Sequence, residues 1–459
     1  MQSVNLSLNA WAGIGPVKPV KGDVPAPARW ALQRDIQVTP RMLAPQVADI
    51  RDWRSEEVGW GVVLAEGASI PDALQELITT RKGPVFRYRA NTPHSFTHLR
   101  NYESKKDVAI AGSPRGTGPD CLPQYLLIYG SPSEVPWQLQ YVLNANRCVG
   151  RLHITGSALG RYVTRLIDGW PDDNSPKSNR ALVWSVVDPD ETGDITHLMR
   201  HAIAEPLVKR LRSDDQIGEK VRFLDGTSSP VTVSGFVDVL AEHQPGLIVT
   251  TSHGKTGPLG ESETMAKHLG LPVDHVGGAL DVEAILANWQ PAGAIWYAHA
   301  CCSAGGDGTG FFADLFGSSS TAYNVLRAVA SLGPTVAPLP TALLSAESPA
   351  RAFVGHVEPT FNWTLEDRFT GQLLTTGIIE ALYSRLFVDK GEAEAPVSYA
   401  FRDWYAQTNG LRAQYIEAQT RFNRGGETED VLLTTQLAAH DIESTVLLGD
   451  PTVVMPALQ

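Results

Sequence analysis

Two short segments carry residue types that together can build a nucleophile. One reads Ser252-His253-Gly254; the other reads His299-Ala300-Cys301-Cys302-Ser303-Ala304-Gly305. A free thiol is mostly protonated at neutral pH, and a nearby imidazole either lowers its pKa or accepts its proton. The chemistry implied is acyl transfer through a thioester. Gly254 lets backbone approach closely, and its N–H is a candidate oxyanion donor beside the N–H of Cys301. His253 precedes Cys301 by 48 residues. That interval suits one strand–helix–strand crossover, which returns both side chains to the same edge of a parallel sheet.

Plainer readings stand beside this one. A cysteine in an apolar run is usually core, and an isolated His-Gly is usually a turn. It is their joint placement at two strand ends that points to chemistry. His253, His299, Cys301 and Cys302 are also potential zinc ligands, but adjacent cysteines lack the spacing of a structural Cys-x-x-Cys pair. Cys121 and Cys148 have no such context and read as structural. Asp188, Asp190 and Asp307 follow apolar runs, where a carboxylate could select Arg or Lys by pairing with its charge. His356 and Glu358 close another run and either line a cleft or cap the strand. No Gly-x-Ser-x-Gly elbow, phosphate-binding loop or His-Glu-x-x-His helix occurs.

The elements that must position these residues are visible from about residue 123 onward. Tyr125–Tyr129, Ala181–Val187, Leu247–Thr251, Ala294–Ala298 and Ala352–Val357 are short, uncharged and apolar. Strands buried on both faces of a parallel sheet have this texture. Helical periodicity separates them: Ile195–Arg212, kinked at Pro206; Asp281–Gln290, with Asp281 as N-cap; and Phe369–Phe387. The alternation predicts a doubly wound, mainly parallel α/β sheet flanked by helices, with sites at the carboxyl ends of its strands. Residues 1–118 are richer in proline and irregular stretches. Only a short strand at Gly61–Leu64 and a helix over Pro71–Thr80 stand out there. They read as an accessory or regulatory region, followed by a first α/β half over 119–240 and a catalytic half over 241–459.

Bulk properties narrow the classes. With 459 residues, 43% of them hydrophobic and 19% charged, the chain is long enough for more than one folded unit. A net charge of -12 argues against nucleic acid or an anionic membrane as the main partner. No apolar run is long enough to span a bilayer, and Met1–Gly15 lacks the features of a secretory signal. Four cysteines, two of them adjacent, suit a reducing, cytoplasmic setting.

Leu247-Ile248-Val249-Thr250-Thr251-Ser252-His253-Gly254, followed by Ala294-Ile295-Trp296-Tyr297-Ala298-His299-Ala300-Cys301, resembles the paired catalytic motifs of clan CD cysteine peptidases. That clan holds caspases, gingipains, separases and the bacterial caspase-like CHAT proteins, and a His about 50 residues upstream of the Cys is its caspase spacing. Val149-Gly150-Arg151-Leu152 and Leu447-Leu448-Gly449-Asp450-Pro451-Thr452 lean toward the gingipain branch, so the resemblance covers roughly 123 to 456. It implies a caspase-like fold and a cysteine endopeptidase with Cys301 as nucleophile, His253 as base and Gly254 as oxyanion support. In the family pattern the nucleophile follows a small residue, here Ala300, which prefers Cys301 over Cys302. The partners implied are a protein or peptide substrate, cleaved after a basic residue in the gingipain manner, and a regulatory protein or ligand. No cofactor or catalytic metal is needed. The rival from another class is an idle caspase-fold binding scaffold.

Overall fold

The computed structural model describes residues 4–6, 20–22, 48–170, 177–189, 193–229, 231–367, 370–387, 394–426, 428–456 and 458. The chain divides into two compact units, Met1–Val47 and Ala48–Gln459. Within the first, β1 (Val4–Leu6) and β2 (Val20–Gly22) pair antiparallel.

The second unit is an α/β fold built on one sheet of twelve strands. They are β3 (Trp60–Ala65), β4 (Val85–Tyr88), β5 (His98–Asn101), β6 (Asp107–Ala109), β7 (Tyr125–Tyr129) and β8 (Cys148–Leu152). After these come β9 (Lys177–Ser185), β10 (Val221–Asp225), β11 (Pro245–Thr251), β14 (Ile295–His299), β17 (Ala352–His356) and β18 (Thr445–Gly449). Their spatial order is β10-β9-β11-β14-β17-β18-β8-β7-β3-β4-β5-β6. Two-residue ladders lie outside this sheet: β12 (His253–Gly254) with β13 (Pro272–Val273), and β15 (Gly305–Gly306) with β16 (Thr335–Val336).

β10, β9, β11, β14 and β17 run parallel, and β18 lies antiparallel against β17. Beyond it β8, β7, β3 and β4 are again mutually parallel, and β5 and β6 close the edge antiparallel. Trp137, just after β7, donates its indole N–H to the carbonyl of Gly306, just past β14, at 3.1 Å.

Alternation along β14 explains its burial on both faces. Trp296 packs on Phe236 of helix Val233–His243 and on Phe353 of β17, with centroids 5.7 and 6.3 Å apart. Tyr297 points the other way and stacks on Phe401 at 6.1 Å. Successive strand residues face opposite sides, so each side meets a layer of helices. A fully buried large apolar side chain stabilises by roughly 1.5–3 kcal/mol. Trp184, Trp296 and Phe236 thus fix the register of β9, β11 and β14, and with it where those strands end.

The boundary expected at residue 118 is corrected. β3 pairs with β7, Trp60 opposite Tyr125, and Val62, Val63, Leu64 and Phe86 are fully buried. Residues 60–109 supply four strands of the same sheet. Of these, β3 contains the strand expected at Gly61–Leu64, and proline-rich loops concealed β4 to β6, which are only three or four residues long. Of the helix expected over Phe369–Phe387, Phe369 lies outside the described residues, and the helix runs from Thr376 and continues as a π-helical turn through Arg385. Before it, Gly371 at φ +69° and the Leu374 N–H bonded to the Leu365 carbonyl make a turn instead. Ile195–Arg212 is helical throughout, with a π turn at Arg200–Ala204 just before Pro206, where the missing proline N–H interrupts the ladder. Among the described residues no helix is long and apolar enough to cross a membrane.

Candidate active site

β11 and β14 end level, with Thr251 opposite His299, and Ser252 N–H reaches the His299 carbonyl at 3.3 Å. His253 and Cys301 therefore leave the sheet on the same edge, from adjacent strands. Gly254 makes the approach tighter still. A Cβ at Gly254 would stand 1.9 Å from the Cys301 carbonyl oxygen and 2.9 Å from its nitrogen. Gly270 repeats the arrangement on the returning arm of the β12–β13 hairpin, where a Cβ would stand 1.9 Å from the Cys302 carbonyl oxygen. The hairpin lies directly on the main chain of the two cysteines, and only glycine fits at either contact.

His253 is half-exposed, and its Nε2 lies 3.0 and 3.1 Å from the two carboxylate oxygens of Asp194. A carboxylate only accepts, so Nε2 carries the hydrogen and Nδ1 of the neutral ring is left as the acceptor. Asp194 sits at the exit of β9 as N-cap of helix Ile195–Met199, accepting from the Thr196 amide at 2.8 Å and its hydroxyl at 2.5 Å. Burial pulls its carboxyl upward, but the Thr196 bonds and His253 outweigh that and hold it below the usual range. Asp194 is thus an anion that fixes the imidazole.

The two thiols diverge. Cys301 is partly exposed, and its Sγ lies 3.6 Å from the Thr360 carbonyl. Burial raises this thiol to about 11. Cys302 is fully buried against Leu269 and Val329, at φ +58°, and burial pushes its thiol well above the ordinary value. Of the pair, only Cys301 is open to a reactant. The Cys301 thiol bonds the Thr360 carbonyl and the His253 ring bonds Asp194, not each other.

The other expected site residues do not converge on Cys301. His356 is 1% exposed. Its Nε2 meets His299 Nδ1 at 3.2 Å, and burial holds it neutral, so it lines no cleft. His299 is likewise buried and lowered to about 4. Glu358, at φ +72° and 2% exposed, accepts from His440 Nε2 at 2.9 Å. Asp307 is buried and accepts from Gln138 and from the Gly308 amide. Burial, then the nearby Glu358, raises its carboxyl. Both acids are committed to internal partners. The main chain of Asp188 is tied to the same helix start, its amide to the Thr196 hydroxyl and its carbonyl to His197. Asp190 lies outside the described residues. Among the described residues, no three His, Cys, Asp or Glu side chains are grouped to hold a metal ion.

Sequence reading missed Asp194, Thr360 and Asp441. The signal for Asp194 was present, since Asp directly before a helical period is an N-cap pattern. Thr360 and Asp441 carry no such signal, because 81 residues separate them and only the fold joins them. The chain matches no family model and no curated protein.

Proposed function

We propose that this chain is a cysteine endopeptidase of the clan CD kind, working through Cys301 and His253 with Asp194 as the residue that orients His253. The observation that carries the reading is the seating of His253-Gly254 on the Cys301 main chain at the carboxyl ends of β11 and β14, with the imidazole pinned by a carboxylate. The Cys301 sulfur attacks the scissile carbonyl and becomes the acyl carrier. His253 takes up the thiol proton and delivers it to the departing amine, then draws a proton from the water that releases the acid. Because the thiol bonds Thr360 and the imidazole bonds Asp194, His253 meets the reaction through the bound substrate rather than as a standing ion pair with the thiol. The four free cysteines support a reducing, cytoplasmic setting. Of the acids expected to form a basic specificity pocket, Asp307 is buried and bound to Gln138, whereas Asp188 remains partly exposed.

One observation favours the scaffold reading: the Cys301 thiol is raised to about 11 and hydrogen-bonded to a carbonyl. A peptidyl acyloxymethyl ketone separates the two. The peptidase reading expects one adduct by intact mass on wild type and Cys302→Ala, and none on Cys301→Ala or His253→Ala. An unlabelled wild type, tested with Arg, Lys, Asp and Phe probes, would leave the scaffold.

A further inference from the structure

Cys301 is held by a segment that a distant helix fastens down. The carbonyl meeting its thiol belongs to Thr360, in the stretch 358–364 after β17. Two consecutive residues of helix Glu429–Glu443 grip that stretch. His440 Nε2 donates to Glu358 at 2.9 Å. Asp441 accepts from the Thr360 hydroxyl at 2.8 Å and from the Thr364 hydroxyl at 2.5 Å. Asp441 is wholly buried, and Thr360 and Thr364 nearly so.

We propose that Asp441 is a positioning residue for the nucleophile, holding the Thr360 carbonyl against the Cys301 thiol and keeping that thiol protonated at rest. The proposal rests on the reading of Cys301 as nucleophile. Its physics is simple. A carbonyl oxygen only accepts, so its bond exists with the thiol and is lost with the thiolate. An ionised carboxylate in the same dry pocket also opposes a second negative charge.

The surroundings offer little compensation. Facing Asp441 are Thr360 and Thr364 from the β17 exit, His356 Nδ1 at 3.9 Å from β17 itself, and Tyr297 from β14. His440 on its own helix is spent on Glu358. His356 is held neutral by burial. Burial raises Asp441 to about 6, so it is ionised at neutral pH, and its charge adds to the burial that raises Cys301. Cys301 packs against the cluster of Leu269, Cys302 and Val329, its main chain lies against Gly254 and its thiol on Thr360, while the His253 ring turns to Asp194. The nucleophile therefore rests in a latched, unreactive form that a substrate must displace.

The test is the rate of Cys301 alkylation by iodoacetamide against pH, located by peptide mass, in wild type, Asp441→Asn and Thr360→Val. Asp441→Asn keeps the shape and removes the charge. It should move the profile at least about one pH unit lower, a rise of about tenfold at pH 7.5. Thr360→Val removes one anchor and leaves the charge, so it should speed alkylation with a smaller change of midpoint. A residue that merely stabilises the fold would lower the melting temperature and leave the profile in place. Superposed profiles of wild type and folded Asp441→Asn overturn the proposal; if that variant does not fold, an unchanged rate in Thr360→Val does so. Alkylation needs no turnover, so failure here is distinct from failure of the peptidase reading, which the peptidyl probe reports.

Discussion

Replacing Gly254 with alanine asks whether close backbone contact sets the reactive geometry. The added Cβ would meet the Cys301 carbonyl oxygen at 1.9 Å, its carbon at 2.8 Å and its nitrogen at 2.9 Å. All three are main-chain atoms, so no side chain can swing aside. Normal contact requires the hairpin and the cysteine loop to part by roughly 1–1.5 Å. Gly254 is tied to β13 opposite Pro272, and Cys301 follows directly on β14, so the strain falls on the junction between His253 and the thiol. Overpacking of this kind costs about 1–3 kcal/mol, which lowers the melting temperature by only a few degrees in a unit this large. A displacement of about 1 Å at reacting groups costs about 100-fold in rate. The expected result is a folded variant whose kcat/KM on a fluorogenic peptide falls about two orders of magnitude, with probe labelling of Cys301 slowed in proportion. Wild-type turnover from folded Gly254→Ala would refute the argument that this contact sets the geometry.

Two further outcomes follow from groups already placed. Asp194→Ser keeps a competent helix cap but removes the carboxylate from His253 Nε2, so stability should change by less than about 1 kcal/mol. Turnover should fall about tenfold to 100-fold, the low end for a general acid–base group because the ring is half-exposed, measured as kcat/KM beside a thermal melt. Acid should destabilise the fold: burial holds His153 and His299 at about 4 and His356 well below the ordinary range. A depressed histidine leaves the native state with fewer bound protons than the unfolded chain, so stability is lost as pH falls below about 6.5 toward 4. Asp441, raised to about 6, acts in the opposite sense, its protonated form favouring the native state between about 4 and 6. Across these four groups the balance is an uptake of about two protons on unfolding near pH 5, seen as urea midpoints that drop between pH 7 and 5; midpoints rising into acid would contradict it.

Legibility in the sequence tracked the length scale of the interactions. Tyr125–Tyr129 is the strand expected, and β11, β14 and β17 differ from expectation by one or two residues. These runs are apolar on both faces, and burial on both faces is what their composition demands. β3 was legible at Gly61–Leu64, but β4 to β6 were not, because sheet membership comes from pairing, as in Val85 with Val62, and pairing leaves no local period in three or four residues. The helix Arg402–Phe422 was not anticipated because its buried residues are few, Trp404, Tyr405, Thr408 and Ala418, too sparse for a stripe.

The same distinction explains the site. His253 and Cys301 were legible because each is the first functional residue past its strand, so strand-end logic finds both. Asp194 arrives by another route, nine residues beyond Ser185, where the helix start rather than the strand end determines its position. Its two duties are one interaction set: the carboxylate that satisfies the Thr196 amide is thereby fixed in direction, and a fixed carboxylate can orient an imidazole. A cap is ordinarily read as a local stabiliser. Here the helix it starts, Ile195–Met199, anchors through Thr196 to Asp188 at the β9 exit, so local capping and the geometry of His253 depend on the same atoms. Asp194→Ser divides them, because serine reproduces the cap and leaves the imidazole without its anion.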